Sequence, residues 1–173
     1  MTAAPPKLAR DAFREDVRPE DAAAVRALAA ATGFFSESEA DIAEELVLER
    51  LRLGEAGGYF FLFADAGDGP AEYALAGYAC YGPTPGTNGC FDLYWIVVAP
   101  DGQGRGLGRG LLAAAEDRIR ERGGRKVIVE TSSRPLYAKT RAFYDKTGYL
   151  AEAVIADFYD AGDAKIIFTK TLG

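Results

Sequence analysis

Five glycines alternate with other residues through Gly102-Gln103-Gly104-Arg105-Gly106-Leu107-Gly108-Arg109-Gly110, directly after the apolar run Ile96-Val97-Val98. Glycine has no Cβ and tolerates positive φ, so a chain rich in it can crowd backbone N–H groups together and point them outward. The apolar spacing that begins at Leu107 predicts a helix opening from this turn. Its first amides are unpaired and its dipole presents the positive end. Strand, glycine turn and helix start together make a socket for a phosphorylated ligand. Spacing then excludes two common occupants. A Walker-type loop ends in Gly-Lys-Ser/Thr, and the chain contains no Gly-Lys pair. The dinucleotide fingerprint needs glycines separated by two and then three, but the glycines here are all even-numbered, so no two stand three apart.

Composition narrows the chemistry further. None of the 173 residues is histidine, which removes Ser-His-Asp and Cys-His nucleophiles and every His-containing metal site. Proton transfer therefore falls to Asp, Glu, Tyr, Lys or Cys. A net charge of −6 argues against binding nucleic-acid backbones or anionic membranes, and is compatible with a cationic substrate such as an amine. Cys80 and Cys90 are the only cysteines, too few for a disulfide-stapled secreted fold. They flank a turn-rich segment and are expected to be reduced, buried thiols, with a cross-hairpin disulfide as the alternative. The N-terminal Met1–Lys7 lacks a signal peptide's apolar stretch, and no apolar run approaches the ~20 residues of a membrane span. A cytoplasmic chain without metal, membrane or nucleic-acid partner is expected.

Positioning that socket requires a scaffold, and the chain supplies one domain over 11–173 after a loose Ala/Pro-rich tail over 1–10. A strand is expected near Ala12–Val17, then a helix whose first turn is Pro19-Glu20-Asp21, buried through Val25, Leu28 and Ala29 and stopped at Gly33. Ser36-x-x-Glu39 reads as a capping box for a second helix, with Ile42, Leu46 and Leu53 on its apolar face. Strands at Tyr59–Phe63 and Tyr73–Tyr81 are separated by the turn Gly67-Asp68-Gly69-Pro70. The next, Cys90–Val98, puts Phe91, Leu93, Trp95 and Val97 on one face and Asp92, Tyr94, Ile96 and Val98 on the other. A helix over Gly106–Arg122, a strand at Lys126–Glu130, a helix over Pro135–Lys146 and a hairpin of Tyr149–Ala156 with Lys165–Thr171 complete the chain. The fold class is α/β, a mixed α+β sheet of about seven strands with four helices.

Gln103-x-x-Gly106-x-Gly108 after a Val-rich strand resembles the pyrophosphate-binding motif of the GCN5-related N-acetyltransferase superfamily. Arg141-Ala142-Phe143-Tyr144-Asp145-Lys146-Thr147-Gly148-Tyr149 is similar to a later motif of the same family, and the element order matches along almost the whole chain. The resemblance implies coenzyme A as ligand and acetyl-coenzyme A as cosubstrate. It also implies a sheet whose fourth and fifth strands splay to admit the pantetheine arm, transfer of the acetyl group to a small-molecule or protein amine, and the homodimers common among relatives. A coenzyme A sensor or scaffold without catalysis is the other reading.

Under that resemblance each requirement of the reaction finds a residue. The diphosphate would meet the backbone of Gln103, Gly104, Arg105, Gly106, Leu107 and Gly108, with charge from Arg105 or Arg109. The thioester carbonyl would meet backbone amides between Ile96 and Val98. Family members use a Tyr at the position of Tyr144 to protonate the departing thiolate; the alternative is a plain core aromatic. Where many relatives carry a coenzyme-binding Asn, this chain has Tyr137. Asp92, eleven residues before Gln103, is the first choice of base for the amine, Glu130 the second, and a water relayed to either the third. Gly33-Phe34-Phe35 stands where the family builds part of its acceptor pocket.

Overall fold

The computed structural model describes residues 12–67 and 74–173; the expected tail and most of the Gly67–Pro70 turn lie outside them. Among the described residues four α-helices and six strands follow in the order α1 (Pro19–Ala31), α2 (Glu37–Leu53), β1 (Phe60–Asp65), β2 (Leu75–Pro83), β3 (Cys90–Val98), α3 (Leu107–Glu121), β4 (Lys126–Ser132), α4 (Ala138–Lys146), β5 (Leu150–Asp160) and β6 (Asp163–Thr171). The mixed sheet has the strand order β1-β2-β3-β4-β6-β5. The chain divides into two compact units, Met1–Gly82 with Trp95–Asp117, and Pro83–Tyr94 with Arg118–Gly173.

The first unit is built on two capped helices. Pro19 occupies the first turn of α1, and the Asp21 carboxylate accepts the Arg18 amide at 2.7 Å, satisfying a donor that the helix leaves open. Ser36 caps α2 with the expected box: its hydroxyl accepts the Glu39 amide, and the Glu39 carboxylate takes the Ser36 amide at 2.7 Å. The apolar face of α2 differs from expectation. Ala40, Ala43 and Val47 are buried, whereas Ile42 and Leu53 are exposed. A stripe of small residues lets α2 lie close to its neighbours, so backbone approach rather than side-chain bulk selects the inward face. Val25, Leu28, Ala43, Val47, Phe61, Phe63, Tyr78, Cys80 and Val97 belong to one continuous core. β1 and β2 pair antiparallel with Phe63 opposite Tyr78, and the register shifts between Ala64 and Asp65.

The expected strand at Ala12–Val17 reduces to one bridge, Arg14 to Phe63, so the sheet has six strands rather than seven. Arg14 makes that bridge through both of its backbone groups, and its side chain anchors the segment further. The guanidinium makes a bidentate contact with the Asp21 carboxylate at 2.9 and 2.9 Å and also holds Asp65 at 2.6 Å. One residue thus ties the start of α1 to the end of β1, and the chain turns into the helix instead of continuing along the sheet. Both carboxylates raise the Arg14 guanidinium above its ordinary value, and Arg14 in turn holds Asp65 below the carboxylate range.

In the second unit the start of β3 runs parallel to β4 from Cys90 opposite Lys126 to Asp92 opposite Ile128. β4 pairs antiparallel with β6 from Lys126↔Thr171 to Ser132↔Lys165. Gly124 is required at the entry to β4: a Cβ there would lie 2.2 Å from Ile119 Cγ2 and 2.9 Å from Phe91 Cδ2. The turn from β4 into α4 is fastened by the buried carboxylate of Asp163. It accepts the Ser132 hydroxyl at 2.6 Å and the Ser133 amide at 3.2 Å, and pairs with Arg134 Nε at 3.1 Å. Cys80 and Cys90 are both free thiols; Cys80 is buried, whereas Cys90 is only half-buried. The Cys90 carbonyl accepts the Thr84 amide at 2.9 Å, which places Thr84 beside it.

Candidate functional site

The glycine turn enters α3 as expected, and only part of its glycine content is conformationally forced. Gly104 (φ +78°) and Gly106 (φ +91°) occupy the left-handed region, where a side chain is strained. The first bond inside the turn of α3 runs from the Gly110 amide to the Gly106 carbonyl at 3.0 Å. The amides of Leu107, Gly108 and Arg109 therefore stand as the unpaired first-turn donors of the helix. Gln103, Gly104, Arg105 and Arg109 are exposed. The Gln103 side chain folds back, its Nε2 donating to the Val98 carbonyl at 3.3 Å, so the turn is pinned to the end of β3. Unpaired amides at a helix start suit a diphosphate. β3 continues to Val98, beyond Asp92 where its parallel register with β4 ends; Ile96 and Val98 are half-buried there.

These positions belong to the first unit; Asp92, Glu130, Tyr137 and Tyr144 belong to the second. Asp92 stands opposite Ile128, and Glu130 lies two residues further along the same face of β4. Half-burial raises the Asp92 carboxyl above the ordinary carboxylate range. A hydrogen bond from Thr84 Oγ1 to Asp92 Oδ2 at 2.8 Å opposes that rise, and the charge of Glu130 adds to it. The two carboxylates proposed from sequence are thus electrostatic neighbours. Glu130 is not a bare acid: Lys165 Nζ lies 2.5 Å from its Oε2. The same ammonium sits 3.7 Å from the centre of the Phe158 ring. Neither Thr84 nor Lys165 was visible as a site residue from sequence; Thr84 in the loop eight residues before Asp92 was the one available signal.

Tyr144 is buried on α4. Its ring lies 5.3 Å from those of Phe143 and Tyr149 and 5.8 Å from that of Phe168. Burial pushes its phenol well above the ordinary value. The expected helix over Pro135–Lys146 is divided: Pro135–Tyr137 form a 3₁₀ turn, and α4 begins at Ala138 with Tyr137 as its N-cap. Tyr137 is half-buried, with the Arg134 guanidinium 5.8 Å above its ring. Arg141 is spent on structure, donating to the carbonyls of Ser132 at 2.7 Å and Arg134 at 3.0 Å. In the first unit, Phe35 meets Trp95 edge-on at 4.7 Å.

The model of the acetyltransferase (GNAT) family matches residues 22–149. Mycothiol acetyltransferase of Beutenbergia cavernae is 34% identical over 118 residues, which are 65% of this chain and 37% of that protein; the chain thus spans about a third of its length. A solved GNAT-family structure from Desulfovibrio desulfuricans is 51% identical, with a TM-score of 0.86 over 94% of this chain and 99% of its own. An aminoglycoside 6'-N-acetyltransferase solved with coenzyme A shares the fold at 19% identity and a TM-score of 0.67, over 92% of this chain and 96% of that one.

Proposed function

Because the chain belongs to the acetyltransferase (GNAT) family, we propose that it transfers the acetyl group of acetyl-coenzyme A to a primary amine by direct attack. The observation that carries this reading is the glycine turn at the start of α3, where Gly104 and Gly106 adopt positive φ and the first-turn amides of α3 stand unpaired. In this reading the amides from Gln103 to Gly108 hold the diphosphate, Arg105 and Arg109 contribute charge, and Tyr137 takes the place of the family's asparagine. The coenzyme supplies the activated acyl group and a thiol leaving group.

Asp92 removes the proton that an ammonium must lose before its nitrogen can attack. Its half-burial suits the task, since a carboxyl raised toward neutrality is a better base than an exposed one. Glu130, committed to Lys165, keeps the second place. The amine then attacks the thioester carbonyl, whose developing charge meets backbone amides between Ile96 and Val98. The carbon–sulfur bond breaks, the thiolate takes the proton of Tyr144, and the second proton that the nitrogen sheds in becoming an amide restores the Tyr144 phenol. Two free thiols in the chain are consistent with a reducing compartment, and we place the enzyme in the cytoplasm.

Purified protein with acetyl-coenzyme A and a panel of amines, aminoglycosides among them, is expected to release free thiol. Asp92→Asn is expected to lower turnover more than coenzyme affinity. Coenzyme binding without thiol release for any amine would overturn the enzymatic reading in favour of a sensor.

A further inference from the structure

In the second unit Asp92 stands opposite Ile128, Glu130 opposite Ile167 and Ser132 opposite Lys165. Paired residues and residues two apart share a face, so Asp92, Ile128, Glu130, Ile167 and Lys165 project together. Val127, Val129 and Phe168 are buried on the other face, where the Tyr144 ring lies, whereas Ile128 and Ile167 are only half-buried. Lys165 is the fixed charge of the more open face. Its side chain is 12% exposed, and its Nζ lies 2.5 Å from Glu130 Oε2. β5 loses its register between Ile155 and Asp160, and in that stretch the Phe158 and Tyr159 ring centres come within 3.7 and 5.8 Å of the same ammonium. A carboxylate and two rings therefore hold it in place. Lys126, on the same face, is matched by Glu152 at 2.9 Å. Among the described residues no cation pairs with Asp92, whose partner is the Thr84 hydroxyl.

We propose that Lys165 sets acceptor specificity: by cancelling Glu130 it leaves Asp92 the one uncompensated carboxylate of this face, which selects an amine with a single cationic group and an apolar body. The inference rests on the acyl-transfer reading with Asp92 as base. Asp92 and Glu130 are diagonal neighbours on adjacent strands, about 8 Å apart between α-carbons, a separation that the two nitrogens of a short diamine can bridge. Glu130 is the seat that a second ammonium would seek, and Lys165 already fills it. A dication must displace a lysine held by three groups or carry its second charge unpaired. Ile128 and Ile167, directly across from the two acids, instead offer contact to an uncharged chain.

Pentylamine and cadaverine, the diamine of equal chain length, are the probes. Calorimetry on the full chain with coenzyme A bound is expected to show tighter binding of pentylamine, and kcat/KM for thiol release the same preference. Lys165→Met keeps the apolar stem and frees Glu130. It is expected to move both ratios about fivefold toward cadaverine, the scale of one partly exposed charge pair, with a gain that shrinks in high salt. Adding Glu130→Gln to that variant is expected to return the preference to pentylamine, which a merely loosened fold would not do. Glu130→Gln alone, with Lys165 intact, is expected to move the ratios the opposite way and keeps the test decisive if Lys165→Met misfolds. Cadaverine binding as tight as pentylamine binding in the native chain, or ratios that no substitution moves, overturns the proposal. Binding ratios that shift as expected without thiol release from any amine overturn the transferase reading instead.

Discussion

Replacing Tyr144 separates a proton donor from a packing residue, because its ring and its hydroxyl can be removed one at a time. The ring touches Phe143, Tyr149 and Phe168 at centroid distances of 5.3, 5.3 and 5.8 Å. Such pairs contribute roughly 0.5–1.5 kcal/mol each beyond area burial. Tyr144→Phe keeps all three and removes one oxygen, so unfolding stability is expected to change by about 1 kcal/mol or less. Tyr144→Ala opens a cavity in the same cluster and is expected to cost about 3–5 kcal/mol. Loss of a positioned general acid typically lowers turnover ~10²–10⁴-fold. The lower end is expected here, since burial pushes the phenol up and makes it a more reluctant donor. The measurements are urea denaturation, coenzyme binding by calorimetry, and steady-state kcat from thiol release. A Tyr144→Phe enzyme with native stability, native coenzyme affinity and undiminished kcat would refute the acid role and leave Tyr144 as core.

Further predictions concern the base and the scaffold. The acid limb of kcat/KM is expected above the ordinary carboxylate range. Thr84→Ala should move it higher by withdrawing a hydrogen bond from the charged form of Asp92, which a pH–rate profile reads directly. Arg14→Met leaves the buried Asp21 without its cation and is expected to cost about 3 kcal/mol in denaturant unfolding, of the order seen when a buried pair loses one partner. Because Arg14 depresses the folded-state value of Asp65, the native chain gains stability above the unfolded carboxylate range and loses it as pH falls through the lower folded value. That acid-side slope should shrink in the variant. Gly77→Ala drives a Cβ to 2.8 Å from the Val97 carbonyl and 3.2 Å from Leu111, and is expected to lower the melting temperature through about 1–3 kcal/mol of overpacking. The buried Tyr78 hydroxyl has no hydrogen-bond partner among the described residues, so Tyr78→Phe should be neutral or stabilising by about 1 kcal/mol in the same assay.

The elements that sequence revealed well are those whose signals are local. Ser36 and Glu39 announce a cap because both groups lie within one turn of the bonds they make. The glycine turn and the onset of α3 depend on backbone freedom at Gly104 and Gly106, which the residue type itself specifies. What escaped prediction depends on partners distant in the chain. The first strand shrinks to a single bridge at Arg14, whose side chain finds Asp65, fifty-one residues away. The inward face of α2 follows alanines whose small size matters only once a neighbouring helix is present. At the site, the proximity of Asp92 and Glu130 arises from a parallel register that no spacing encodes. The companions Thr84 and Lys165 come from a loop and from β6.

The unequal environments of the two sulfurs bear on any colorimetric disulfide reagent used to follow the reaction. Such reagents consume thiolate, and burial drives the Cys80 sulfur far from that form and out of reach, whereas Cys90 is only half-buried. The native protein should therefore contribute a background of one equivalent of colour, and a second equivalent would signal unfolding during the assay.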